Sequence, residues 1–534
     1  VTGSADQGSW RWWQKGVIYQ VYPLSFADSN ADGRGDLAGI AGRLDYLKWL
    51  GVDAVWFSPI FPSPMADWGY DIADYTSVDP VFGTLKDFHH LVEEAHRQGL
   101  RVLLDLVPNH TSSRHPWFLE SRASIESPKR SWYIWKDPGP GGAPPNNWLS
   151  IFGGSAWEWD ETTGQYYYHA FLKEQPDLNW RNPEVQEAML EVMRLWLDRG
   201  VDGFRIDVVW HLIKDALFRD NPANPTYTPD QSPYLSLLTT HSADQPEVIQ
   251  VISRMRSLVD EYRDRVLIGE IYLPIERTMR YYGSNGSALH LPFNFQLIQL
   301  PWDPETIGQA IDRYEGMLPV DGWPNWVLGN HDKSRVVTRV GPAQARVAAV
   351  LLLTLRGTPT IYYGEEIGMS DADIPEDRMV DTRARRQPGR GRDPVRTPMQ
   401  WTDGPNAGFT TAEPWLPVNP NYRQVNVERA STDTRSMLAL YRRLLMLRRS
   451  EPALSVGAYQ PSAAPDGVVA YRRIAGNTSF LIALNFTGSR REVDLGTMSG
   501  LIALSSMLDD AGQPIGSTLL LRENEAVIIA LNES

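Results

Sequence analysis

Val201-Asp202-Gly203-Phe204-Arg205-Ile206-Asp207-Val208 reads as a short buried strand that ends in charge. Side chains on a pleated strand point alternately to its two faces, so Phe204 and Ile206 share one face and Arg205 and Asp207 the other. Asp207 stands at the C-terminal end, and residues 209–215 suit a loop and the start of a helix. In an α/β barrel, catalytic residues occupy the C-terminal ends of the strands. A cation on the same face lowers a carboxylate's pKa and keeps it ionised, and an ionised, positioned carboxylate can act as a nucleophile. Taken alone, the stretch also fits a surface strand with a local ion pair.

Outward from this stretch the chain alternates strand and helix. Residues 17–21, 53–57 and 100–106 read as strands, and 85–98 as a helix with Thr84 as N-cap and Gly99 as stop signal. Further strands are expected at 266–269, 289–294, 326–329 and 359–363, the first ending in Glu270 and the third in Asn330-His331-Asp332. Strands separated by helices at this spacing imply a parallel sheet. About eight of them imply a TIM barrel, the (β/α)8 fold. The rhythm breaks between residues 111 and 179, a stretch rich in Gly, Pro, Trp and Tyr, which reads as an irregular inserted domain after the third strand. From residue 451 the pattern changes to period two, as in a C-terminal antiparallel β-sandwich. The expected domains are thus residues 1–110 with 180–450 (barrel), 111–179 (insert) and 451–534 (sandwich).

Composition narrows the function classes. At 534 residues, 42% hydrophobic and 22% charged, the chain is globular and large enough for two or three domains. A net charge of −14 disfavours nucleic acid and anionic membranes as partners and suits a neutral substrate. Without cysteine there is no disulfide or thiolate chemistry. No apolar run reads as long enough to span a bilayer, and residues 1–7 lack the basic and apolar regions of a signal peptide. The expectation is a cytoplasmic protein. The 20 Trp and 22 Tyr fit sugar-binding faces, but a large core uses them too.

Asp28, Asn30, Asp32, the Arg34 carbonyl and Asp36 place oxygens at the alternating positions of a calcium loop, with Gly33 at its sharp turn. The closing Glu of such a loop is missing; Gly39 stands there. One structural divalent cation, Ca²⁺ or Mg²⁺, is expected. The competing reading is an ordinary Asp-Gly turn.

In this register Asp207, Glu270 and Asp332 converge on one mouth of the barrel. Paired carboxylates there suit glycoside hydrolysis, one attacking and the other protonating the leaving oxygen. Asp207 beside Arg205 is expected to stay ionised, while Glu270, which ends an apolar run, is expected to hold its proton longer. A carboxylate-rich Mg²⁺ barrel of the enolase type is the alternative, but no suitable Lys stands at a strand end.

The motifs together resemble the α-amylase superfamily, glycoside hydrolase family 13, in its oligo-1,6-glucosidase and α-glucosidase branch. Residues 105–110, 203–207, 269–270 and 330–332 match its four conserved regions in turn. Gln175-Pro176-Asp177-Leu178-Asn179 and Arg396-Thr397-Pro398-Met399-Gln400-Trp401 are similar to segments of this branch. The resemblance spans essentially the whole chain and is closest to bacterial exo-α-glucosidases.

The resemblance implies Asp207 as nucleophile, Glu270 as acid/base and Asp332 as binder of the sugar hydroxyls. His110 and His331 would bond the same sugar, and Arg205 would orient Asp207. Asp67 paired with Arg396 would close the pocket end, so that single glucose units leave chain ends. Tyr70 would stack under the ring, Phe171 and Phe152 would line the pocket, and Asp105 and Asn109 would support it from behind. Val208 after the nucleophile accompanies α-1,6 activity in this branch, a preference worth only about 1–3 kcal/mol. The expected substrate is a small neutral α-glucoside, with transglucosylation as a side reaction. A sucrose- or trehalose-type transferase or isomerase is the rival enzyme, and a non-catalytic transporter ectodomain the rival of another class. His211, close to the nucleophile in sequence, receives no role.

Overall fold

The computed structural model describes residues 10–532; the signal-peptide reading of residues 1–7 and the outermost ends of the first and last domains lie outside them. In chain order, β1 (Ile18–Val21), β2 (Ala54–Phe57) and β3 (Arg101–Leu106) come first. The strands β4 (Trp135–Lys136), β5 (Trp157–Asp160) and β6 (Gln165–Tyr168) belong to the insert. Then follow β7 (Gly203–Ile206), β8 (Val266–Gly269), β9 (Leu291–Asn294), β10 (Asn325–Val327) and β11 (Thr358–Tyr362). The barrel closes in the order β1-β11-β10-β9-β8-β7-β3-β2, with parallel pairing throughout.

Period-two alternation sorts the strand side chains. Ile18, Trp56, Leu103, Ile268 and Phe293 fill the barrel, while Tyr19, Phe57, Leu104 and Phe204 join the layer beneath the helices. The helix Leu85–Arg97 illustrates the outer layer. Thr84 and Asp87 cap it reciprocally, and Phe88, Leu91, Val92 and Ala95 form its buried stripe. Gly99 follows at φ 75°, where only glycine is free of strain.

The insert is less irregular than its composition suggests: β4, β6 and β5 form a three-stranded antiparallel sheet. Its strands are short, and β4 has two residues, so the alternation signal is too brief to read from sequence. The insert is tied to the barrel mouth. Leu178 N–H donates to the Asn109 carbonyl at 2.9 Å, and His110 bridges to Asp177.

The C-terminal region carries β12 (Ala458–Ser462), β13 (Val468–Ala475), β14 (Thr478–Asn485), β15 (Arg491–Asp494), β16 (Gly500–Ser505), β17 (Pro514–Ile515), β18 (Thr518–Leu521) and β19 (Ala526–Leu531). Six form the sheet β12-β13-β14-β19-β16-β17, and β15 pairs with β18. Within β14, Leu481 and Ala483 join Val493, Leu519 and Leu521 in a core between the two sheets. Phe480, Ile482 and Leu484 of the same strand face the barrel side and join the main core.

One expectation needs correction. The helix Val336–Thr354 is long and apolar enough, by length and composition, to cross a bilayer. In the fold its residues from Val347 to Thr354 are buried, packed against the helix Met437–Ser450 and the C-terminal sheet. A core helix covered on all sides is hydrophobic all round, like a membrane span.

Candidate active site

The barrel register sets the floor of the site. Ile206 pairs with Gly269 across β7 and β8, which puts Asp207 level with Glu270 at the strand ends. Asp105 pairs with Arg205 across β3 and β7. Arg205 is buried and serves three carboxylates. Its Nη1 donates to Asp105 Oδ1 at 2.8 Å and to Asp207 Oδ1 at 2.7 Å, and its Nη2 lies 2.7 Å from Glu270 Oε2. Glu270 Oε2 also accepts the Val208 N–H at 3.0 Å. Asp207 and Glu270 thus each have one oxygen fixed by the frame, and the other accepts no hydrogen bond among the described residues. Val208 takes φ 36°, a left-handed conformation costly for a β-branched residue. Strain of this kind gathers at functional sites, where surrounding structure enforces it.

The electrostatics of this floor differ from the expected ion pair. Burial raises Asp207 well above the usual carboxylate range. Arg205 opposes the rise, and the Glu270 and Asp105 carboxylates add to it. Asp105 is likewise pushed up by burial, to about 7, against the pull of Arg205. One guanidinium shared by three carboxylates cannot neutralise them all, so the cluster retains a proton near neutrality. That proton belongs to the cluster rather than to one residue.

The opposite wall has the reverse balance. Asp332 lies beyond the end of β10, in a loop where its N–H donates to Asn330 Oδ1 at 3.0 Å. Arg396 Nη2 donates to Asp332 Oδ1 at 2.8 Å and Arg396 Nε to the His331 carbonyl at 2.8 Å. Burial works to raise Asp332, but the Arg392 and Arg396 guanidiniums outweigh it and hold Asp332 well below the usual range. The expected pair of Asp67 with Arg396 is not formed. Asp67 is buried and accepts from Arg392 Nη2 at 2.6 Å and from Gln175 Nε2 at 3.0 Å. Arg396 is spent on Asp332, His331 and the Tyr22 hydroxyl. Arg392 is held in turn by Asp381, whose Oδ1 and Oδ2 accept from Nη2 at 2.8 Å and Nε at 3.0 Å.

Aromatic and imidazole groups line the space between. The Tyr70 ring stacks on His331 with centroids 5.2 Å apart and planes 5° from parallel, and its hydroxyl donates to Asp105 Oδ2 at 2.9 Å. His331 is held by the Gln20 amide at 2.8 Å, and burial lowers its pKa to about 3, so it is neutral at working pH. His110 lies 3.0 Å from Gln175 Nε2 and 3.2 Å from Asn109 Nδ2, with burial lowering its pKa also. Phe171 meets His110 at 5.1 Å, and Phe152 meets Phe171 at 5.9 Å while lying beneath Arg392 at 5.2 Å. His211 is buried 5.8 Å from Phe171, and its ring makes no hydrogen bond to the protein among the described residues. Buried polar groups without a partner are rare.

Behind the pocket sits a cation that sequence reasoning passed over. Lys214 is buried, with Nζ 2.8 Å from Asn109 Oδ1 and 2.5 Å from Asp177 Oδ2. It ties the insert to the segment after β7. It was overlooked because nothing in the sequence distance between Lys214 and Asn109 shows that they meet.

The loop expected to hold a metal closes on itself. Asp28 accepts from the N–H groups of Asn30, Ala31 and Gly33 and from the Thr410 hydroxyl. Asn30 and Asp32 accept from backbone N–H groups two residues ahead. The Asp36 carboxylate caps the helix Leu37–Ala41 through Gly39 N–H and also accepts from Ser29. The Arg34 carbonyl belongs to the same turn. No group of three or more acidic or histidine side chains among the described residues is disposed to hold a metal.

Two carboxylates level on adjacent strands, a third held ionised opposite, and neutral imidazoles above an aromatic wall are the parts needed to hold a sugar ring and cleave its glycosidic bond. Known proteins agree. A family model described as alpha amylase, catalytic domain, matches residues 20–457. The chain is 42% identical over 494 residues to a probable alpha-glucosidase of Rhizobium meliloti, covering 89% of each chain. It is 40% identical over 516 residues to an oligo-1,6-glucosidase of Parageobacillus thermoglucosidasius, covering 89% of this chain and 90% of that one. Among solved structures, an alpha-glucosyl transfer enzyme superposes with a TM-score of 0.93 at 42% identity, covering 98% of this chain and all of that one. The chain belongs to the α-amylase family and is a glycoside hydrolase similar to its α-glucosidases and oligo-1,6-glucosidases.

Proposed function

We propose that the enzyme releases single α-glucose units from the non-reducing ends of short α-glucosides with retention of anomeric configuration. Asp207 attacks the anomeric carbon through its free oxygen. Glu270 gives its proton to the glycosidic oxygen, the carbon–oxygen bond breaks, and the aglycone leaves. Water then attacks the glucosyl ester while Glu270 takes its proton, which frees Asp207 and α-glucose. Asp332, His110 and His331 would bind the sugar hydroxyls, and the unpartnered His211 ring would offer one more contact. Tyr70, Phe171 and Phe152 would pack against the ring. Asp67, held by Arg392, would close the far end and limit cutting to one unit.

The observation that carries this reading is the Asp207–Glu270 pair, bridged by one guanidinium with one free oxygen on each. The test is proton NMR of the first product from maltose. α-Glucose appears first; β-glucose as the initial anomer would overturn the mechanism.

Val208 supports acceptance of α-1,6 bonds, so isomaltose is cleaved as well as maltose. Similarity to an alpha-glucosyl transfer enzyme favours transfer as a second outcome, in which a sugar hydroxyl replaces water. Product analysis on maltose, isomaltose, sucrose and trehalose separates the two; mainly transferred or isomerised product would reverse the order. A structural divalent cation in the Asp28 loop remains a proposal on sequence spacing alone. A melting temperature lowered by chelator supports it, and an unchanged one removes it.

A further inference from the structure

A second cavity, of about 590 Å³, lies between the insert and the segment that follows β7. Of its lining, only Lys214 also belongs to the site described above, which it supports from behind. Its lining includes four cations, Arg130, Lys136, Arg181 and Lys214, and no carboxylate, on a chain of net charge −14. Two of these are already matched: Arg181 lies 2.9 Å from Glu247 and Lys214 2.5 Å from Asp177. The other two are not. Arg130 makes no ion pair among the described residues: it donates to the Ser121 carbonyl, Thr163 and Gln165, rests over the Trp135 ring at 3.4 Å with Asp160 as its nearest counter-charge, and its Nε is buried without a partner. Lys136 rests over the Phe218 ring at 3.9 Å and makes no ion pair among the described residues. Partly buried cations held outside ion pairs favour an anionic ligand.

The rest of the lining suits a sugar. Trp135 and Phe218, both half-buried, supply apolar surface, and Ser131 and Asn179 supply polar groups. The volume is in the usual range for small-molecule sites, roughly 300–1,000 Å³, and inorganic phosphate would leave most of it empty. We propose that this cleft binds a phosphorylated monosaccharide, with its phosphate on Lys136 and Arg130 and its ring over the apolar floor. The floor also leads to the pocket. Lys214 bonds Asn109 Oδ1 at 2.8 Å, and the Asn109 amide lies 3.2 Å from His110 Nδ1. A ligand that draws on Lys214 shifts the groups that hold His110, so occupancy of the cleft alters glucoside binding.

The test is calorimetric titration of the full-length enzyme with glucose 6-phosphate, inorganic phosphate and glucose. Glucose 6-phosphate binds with one-to-one stoichiometry, inorganic phosphate binds about tenfold more weakly or worse, and Lys136→Met weakens the sugar phosphate by about tenfold or more. Lys136→Arg keeps it, and melting curves check that both variants fold. No binding, or binding indifferent to Lys136, overturns the site. Equal affinity for inorganic phosphate overturns the sugar as ligand. Competition by maltose in an Asp207→Ala background that grows in proportion to maltose without levelling off places the ligand in the pocket and also overturns the site. Coupling predicts a change of about twofold or more in the KM for maltose, absent in Lys136→Met; binding with an unchanged KM overturns the relay. Because the titration reads no turnover, it stands or falls apart from the proposed hydrolysis.

Discussion

The two walls of the pocket are built from the same residue types in opposite proportion. On the floor, Asp105, Asp207 and Glu270 share Arg205. On the far wall, Asp67, Asp332 and Asp381 share Arg392 and Arg396. Burial raises carboxylates in both places. With one cation the rise survives, and Asp105 and Asp207 are pushed up. With two it is overcome, and Asp332 and Asp381 are pulled down. The ratio of guanidinium to carboxylate, more than burial, decides which wall stores a proton and which stays anionic. Proton transfer needs the first state, and fixed binding of hydroxyls and of a developing positive charge needs the second.

Removing the attacking oxygen should have the largest effect. Asp207→Ala is expected to lower kcat by about 10⁴-fold or more while the melting temperature holds or rises, since a raised carboxyl is removed. Appreciable turnover would mean that the floor's nucleophile lies elsewhere. Glu270→Gln should cost about 10²–10⁴-fold on maltose and far less on an aryl glucoside with a good leaving group, which needs no proton. Equal losses on both substrates would remove Glu270 as the acid.

Breaking the far wall should act on binding and stability. Arg392→Gln leaves Asp67 and Asp381 buried without their cation, at a cost of about 3–5 kcal/mol in unfolding free energy, together with a raised KM for maltose. If Arg396→Gln raises KM while Arg392→Gln does not, the pairing of Asp67 with Arg392 is the wrong closure of the pocket.

The smallest effect sharpens the comparison directly. Asp105→Asn removes one of the two carboxylate neighbours that raise Asp207. The Asp207 pKa falls, and the alkaline limb of kcat/KM, where the cluster loses its proton, moves to lower pH by about one unit. An alkaline limb that stays in place would show that the proton does not belong to the cluster. The Asp332 carboxyl, already held low, should leave the acid limb unchanged.

Local pattern carried much of this protein. Alternation of Phe204 and Ile206 against Arg205 and Asp207, with strands and helices at barrel spacing, determined the fold class. It also determined which acids end strands, because strand periodicity and capping are short-range properties. Asp207 and Glu270 met as expected for the same reason: register on neighbouring parallel strands carries strand ends to one level. The insert's sheet was hidden because its strands are too short to show a period. The partner of Asp67 was hidden for a different reason. Residues 378–396 hold seven arginines, and only the folded loop selects Arg392 by turning it inward onto Asp381 and Asp67. Lys214 beneath Asn109 and the three-way sharing of Arg205 were likewise settled by packing. Charge balance around a buried group depends on everything within a few ångströms of it, and that neighbourhood comes from distant parts of the chain.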